Sequence, residues 1–279
     1  MQVIDFRLRP PAKGFLETMM FREIERTARM AAGVGMEAAP SFRRHSMPLL
    51  LAEMDHADIA VGIIPGRINS VLGSIPNDDI AAIVKEHPGR FLGLAGIDPT
   101  NRNAAVKEAE RRMAAGFKGV VLEPGLMTQP WYLDDARLYP IYAYLEDNDI
   151  PVLFMAGGNA GPDITYSSPE HIDRVARDFP QMKIISGHGN WPWVSEILHV
   201  CYRRPNIYLS PDVYIHGKLP GSGDYINALN GFMAHRFLYA TAYPFLAVDT
   251  GLEAFLRLPI RDDIKERVLY RNAADLLGI

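Results

Sequence analysis

Eight short apolar or β-branched runs recur along the 279 residues, each followed by a stretch with helical spacing and a turn signal. They are QVIDFRLR near the start, IAVGIIPG (59–66), FLGLAGIDP (91–99), GFKGVVLEP (116–124), IPVLFMAGG (150–158), MKIISGHG (182–189), NIYLSPDVY (206–214) and RFLYATAYP (236–244). Eight strands with intervening helices predict an α/β fold, the (β/α)8 or TIM barrel. The segment from Asn101 to Gly116 has a helix-capping start and a Gly stop, SPEHIDRVARDFP (168–180) is amphipathic, and the last stretch opens on Asp262 with the spacing of a closing helix. No linker, low-complexity tract or change of composition divides the chain, so residues 1–279 are expected to form a single domain.

Bulk chemistry removes some function classes. Lys plus Arg number 29 against 33 Asp plus Glu, which leaves no basic excess for a phosphate backbone, and a nucleic-acid partner is not expected. Hydrophobic residues make up 48% and charged residues 22%, ordinary for a soluble globular chain, and no apolar run approaches the roughly 18 residues of a membrane span. Cys201 is the sole cysteine, and the first strand begins without a charged region and apolar run ahead of it; a reducing cytoplasm is the expected location. Neither a Gly-x-Gly-x-x-Gly, a Gly-x-Ser-x-Gly nor a Walker sequence is present.

A barrel binds at the C-terminal ends of its strands. The first connection, residues 10–46, is long and Met-rich, with the helical FLETMMFREIERTARMAAGVGM. It reads as a lid, as a contact between copies in a homo-oligomer, or as plain helical packing. The excursions GGNAGPDITYSS after the fifth run and YIHGKLPGSGDY after the seventh are rich in turn formers, and all three should rim one pocket. The first strand adds a puzzle. Arg7 and Arg9 lie two apart, so alternation points both the same way, into the barrel mouth, and buried arginines need compensation.

The order and spacing of VIDFRLR, LAEMDHADIAVGII, PGRFLGLAGIDP, GFKGVVLEPG, LYPIYAYLEDNDIPVLFMAGG, FPQMKIISGHGNWPWVSE, RFLYATAYPF and RNAADLLGI carry a resemblance over nearly the whole chain. The sequence resembles the amidohydrolase-related branch of the metal-dependent amidohydrolase superfamily, which includes aminocarboxymuconate-semialdehyde decarboxylase-like enzymes. That family usually opens with Asp-x-His-x-His, both histidines binding a divalent metal. This chain keeps Asp5 but has Arg7 and Arg9 at the histidine positions, Met155 where the fifth strand usually ends in His, and Ala242 where the eighth offers a metal-binding Asp. Only His188, in SGHGN, stands at a position the family uses. Arginine has no free lone pair for a metal and repels one. The expectation is therefore that no cofactor is required; the alternative is a displaced divalent ion such as zinc on Glu123, His188 and Asp212.

Catalytic candidates are His188, Arg7, Arg9 and Glu123; substrate-binding candidates are Arg67, Asn159 and Asp212. His188 is either a base or acid suited to neutral pH or a histidine satisfying backbone groups. Glu123 is a base or, the favoured reading, an orienter of Arg7 or Arg9. Either the arginine–carboxylate pairs are complete and structural, or one guanidinium fork stays open for an anionic substrate. Arg67 and Asn159 stand after strands where they would touch a ligand, with a solvated loop as the plain reading. Trp191 and Trp193 are expected to pack the helix after the sixth strand, and Cys201 to be a buried structural thiol. The leading function is an amidohydrolase-related hydrolase acting on a small carboxylate-bearing substrate by hydrolysis or addition or elimination of water. The alternatives are a decarboxylase or hydro-lyase of the same family, or a catalytically silent barrel that binds ligand or assembles.

Overall fold

The computed structural model describes residues 2–216 and 219–279. Seven parallel strands form one sheet in sequential order: β1 Val3–Asp5, β2 Ile59–Pro65, β3 Phe91–Gly96, β4 Val120–Leu122, β5 Val152–Met155, β6 Ile184–Gly187 and β7 Ile207–Ser210. Each is joined to the next through helices, which is why the runs are short, apolar and buried on both faces. The eighth run is not a regular strand. Its backbone nonetheless fills the last position, bridging β7 at Leu209–Phe237 and the end of β1 at Leu8–Tyr243, both in parallel sense. Phe6 N donates to Tyr239 O at 2.9 Å and Leu238 N to Leu209 O at 2.9 Å, so the ring closes into a TIM barrel. Ala242, with φ of 52°, and Pro244, which has no N–H, prevent an unbroken ladder there.

Period-two alternation divides the strand side chains between two layers. Ile4, Ile63, Leu94, Val121, Leu153 and Ile185 fill the lumen, closed below by Ala273, Leu276 and Leu277 of the last helix, Asn272–Leu277. Val3, Ile64, Phe91, Val120, Phe154 and Ile207 face the surrounding helices. Strict alternation fails at one place that matters. Phe6 packs in the lumen while Leu8, of the same parity, packs in the outer layer. The chain bends at Phe6–Arg7 just after β1 ends, and this resets the parity. Arg7 and Arg9 thus reach the barrel mouth because of a bend, and not by the uninterrupted alternation the sequence suggested.

The long first connection folds into short helices, Met19–Arg22, Ile24–Gly33, Pro40–Arg43 and Met47–His56. Asn101 caps Arg102–Ala114 by accepting from Ala104 N at 3.1 Å, as expected from its sequence. Cys201 is buried on the helix Val194–Arg203, and its thiol is pushed up to about 12 by that burial. Among the described residues no helix is long and apolar enough to cross a membrane.

Candidate active site

A cavity of about 420 Å³ opens at the C-terminal ends of the strands, where a barrel gathers its loops. Arg7, Arg9, Arg67, Glu123 and His188 form its polar part; Met19, Met20 and Met30 of the first connection line its cover. Three methionines of the Met-rich segment thus reach the cavity, over which the segment would serve as a lid. Two glycines permit the close packing beneath. A Cβ on Gly96 would stand 2.6 Å from Arg67 N, and one on Gly157 would stand 2.8 Å from His188 Cβ.

Arg7 is 1% exposed; both terminal nitrogens are engaged, while its buried Nε has no hydrogen-bond partner among the described residues. Its Nη1 donates to Asp212 Oδ2 and its Nη2 to His188 Nε2 at 2.7 Å. With Nε2 accepting, the ring proton is assigned to Nδ1, which lies 3.1 Å from Asp212 Oδ2 and 3.0 Å from Arg7 Nη1. Ser210 Oγ donates to the other oxygen of Asp212 at 2.9 Å. Burial alone would raise Asp212, but Arg7 and the His188 hydrogen bond hold it down at about 2. Burial and the Arg7 guanidinium push His188 down to about 4, against the pull of Asp212, so the imidazole is neutral near neutral pH. His188 and Asp212 sit at adjacent strand ends with left-handed φ of 62° and 53°, a conformation uncommon for such residues and concentrated at functional sites.

Arg67 is held separately. Its Nε and Nη2 donate to the two oxygens of Glu123 at 3.1 and 3.2 Å, and Asn69 Nδ2 donates to Glu123 Oε2 at 2.6 Å. Glu123 thus orients Arg67, correcting the expectation that it would serve Arg7 or Arg9. Asp212 is likewise enclosed in the Arg7 pair instead of standing open to a ligand. Asn159 lies exposed at the rim of the cavity.

Arg9 differs from both. It is 2% exposed, yet among the described residues no carboxylate pairs with it. Nη1 donates to the carbonyls of Ala242 and Tyr243 at 3.2 and 3.4 Å, the guanidinium lies 5.9 Å from the Phe245 ring centre, and buried Nη2 has no hydrogen-bond partner. Burial, with Arg7 and Arg67 nearby, lowers its proton affinity from the usual arginine value. Asp5 does not compensate it: Oδ1 accepts from Arg7 N at 3.1 Å and Thr241 N at 3.0 Å, and Oδ2 accepts from Thr241 Oγ1.

Some lining residues escaped the sequence reading. Trp191 was expected only to pack a helix, but it stacks on Tyr214 at 4.8 Å and 12°, and both line the cavity. Asn69, which reaches the site only through Glu123, carried no motif, and Phe245 is visible only as the residue after the YP of the eighth run.

Comparison with known proteins adds three relatives. The chain is 48% identical to an uncharacterized TIM-barrel protein from Bordetella bronchiseptica, with a TM-score of 0.96 and coverage of 100% of this chain and 99% of that one. It is 22% identical over 244 residues to gamma-resorcylate decarboxylase of Polaromonas sp. (strain JS666 / ATCC BAA-500), covering 73% of this chain and 75% of that protein. It shares a fold, at 18% identity and a TM-score of 0.74 over 99% and 97% of the two chains, with a dihydroxybenzoic acid decarboxylase from Polaromonas sp. JS666 holding manganese and the inhibitor 2-nitroresorcinol.

Both cofactor expectations need correction. The displaced site on Glu123, His188 and Asp212 does not form, because Glu123 is bound to Arg67 and Asn69 while the other two are bound to Arg7. The expectation that no cofactor belongs to such a site is overturned by the manganese in the Polaromonas structure of the same fold. The side chains here do not fit that ion as they are arranged: among the described residues no group of three or more His, Cys, Asp or Glu could hold a metal. An amidohydrolase family model matches residues 26–279, spanning every barrel strand after the first, and the chain belongs to the amidohydrolase family.

Proposed function

We propose that this protein is a decarboxylase, removing the carboxylate of a small aromatic acid as CO2. The observation that carries the reading is Arg9, a buried cation with an unfilled donor at the wall of a cavity. An isolated buried charge is costly, and a substrate carboxylate is the natural compensation. Phe245 beside Arg9, and the parallel pair Trp191 and Tyr214, offer flat apolar surface to a ring. The names of the relatives favour decarboxylation over the hydrolysis placed first from sequence.

In this reading Arg9 receives the carboxylate, while Arg7 and Arg67, locked by their own carboxylates, set the positive field around it. The bond between the ring carbon and the carboxylate breaks, its electron pair stays on the ring carbon, and CO2 leaves. A proton taken from solvent then joins that carbon, while His188, both of whose ring nitrogens are held by Arg7 and Asp212, fixes the Arg7 guanidinium at the cavity wall. The test is CO2 release from a panel of hydroxybenzoates in D2O, with deuterium sought at the vacated carbon. Release that depends on Arg9 and His188 supports the proposal. No release from any member, alongside turnover of ester, amide or lactone substrates, overturns it.

A further inference from the structure

We infer that the substrate carries a second anionic group, and that Arg26 of the lid receives it. This rests on the reading that Arg9 takes the reacting carboxylate. The cavity wall holds four arginines, and their partners sort them into two kinds. Arg7 and Arg67 are closed by buried carboxylates, whereas Arg9 has none. Arg26, on the lid helix Ile24–Gly33, is the fourth; its contacts are Glu23 Oε2 at 3.1 Å and Met19 Sδ at 3.3 Å, both through Nη1.

The Glu23 pair is a weak restraint. Arg26 and Glu23 side chains are 53% and 49% exposed, and exposed pairs of this kind hold little net energy, so a ligand anion displaces Glu23 at small cost. Arg26 also lines a surface groove in which Arg22, Arg29 and Arg43 outnumber Glu23 and Glu25, the latter paired with Arg43 at 3.2 Å, and so stands where that net basic groove meets the buried cavity. Met20, Met30 and Val34 of the lid, with Leu72, Leu126 and Met155 of the wall, make most of the remaining lining apolar. A molecule matching this distribution has an apolar body and a negative charge for each of the two available cations. It would enter along the basic groove and draw the lid down through its outer charge.

Calorimetric titration with benzoate and with isophthalate, which adds a second carboxylate to the same ring, tests this at low ionic strength. Wild-type protein is expected to bind isophthalate about threefold more tightly than benzoate, the size of one added half-exposed charge pair. Arg26→Gln should bring the ratio near one with benzoate affinity unchanged, and Arg9→Gln should weaken both acids. Melting curves of the variants check that each is folded. Equal affinity for the two acids, or a ratio that survives Arg26→Gln, overturns the inference alone. Binding of neither acid by the wild type overturns it together with the reading of Arg9 on which it rests.

Discussion

Glu123 and Arg67 form a buried two-pronged pair, 3% and 6% exposed, with Asn69 completing the carboxylate's partners. Removing one member leaves an uncompensated charge at the cavity. Glu123→Ala is expected to cost about 3–5 kcal/mol of folding stability, whereas replacing both members by apolar residues of similar volume should cost far less. Urea denaturation of the single and double variants measures the difference. Equal losses in both would show that the side chains matter here by packing and not by charge.

Arg9→Met should behave in the opposite way. No ion pair is broken by the change, and a buried charge without a carboxylate is removed. The variant is expected to melt at or above the wild-type temperature and to lose CO2 release by about a hundredfold or more, as deletion of a central charged donor does. A large fall in melting temperature would mean that Arg9 is a structural cation.

The barrel was legible because parallel strands buried on both faces leave continuous apolar runs, and seven of the eight became regular strands. The eighth was legible as apolar but not as irregular, since the left-handed φ of Ala242 leaves no mark in an alanine. Arg7, Arg9, Arg67, Glu123 and His188 were all singled out from strand ends and do surround one cavity. Their pairing was not legible. Which carboxylate meets which guanidinium depends on ångström-scale offsets between β1, β2, β4 and β7, and sequence spacing within a strand says nothing of those. Trp191 and Tyr214 were hidden for a related reason: they lie on the loops after β6 and β7, and only the pairing of those two strands brings them face to face.

Asp5 gives a pH signature. Burial, opposed by the Thr241 and Arg7 hydrogen bonds, raises it to about 6, so the stability it contributes is full below about pH 4 and is lost as pH rises through 6. His188 and His216 are each pushed to about 4, chiefly by burial; their contribution is present above the usual histidine range and lost as pH falls through 4. Asp5 therefore opposes the histidines across the same window. In Asp5→Asn the gain in unfolding free energy from pH 4.5 to 7 should exceed that of the wild type by about 2 kcal/mol. Parallel pH curves for the two proteins would show that Asp5 titrates as an ordinary carboxylate.

Arg7 and Arg9 occupy the places of the two histidines in the Asp-x-His-x-His opening that the first strand resembles, and Arg7 covers both His188 and Asp212. Changing both arginines to histidine removes two cations and frees the Asp212 carboxylate and the His188 imidazole. It also adds two imidazoles at the same strand end, giving a nitrogen-and-oxygen donor set suited to a divalent ion. Without metal, Arg7→His/Arg9→His should be less stable than its parent, because Asp212 loses its partner at full burial. Added manganese or zinc should then raise the melting temperature of the variant by more than it raises that of the parent, and more metal should be retained after dialysis. If the two proteins respond alike, the guanidiniums are not what sets metal affinity at this barrel mouth, and the replacements at Met155 and Ala242 become the positions to reverse.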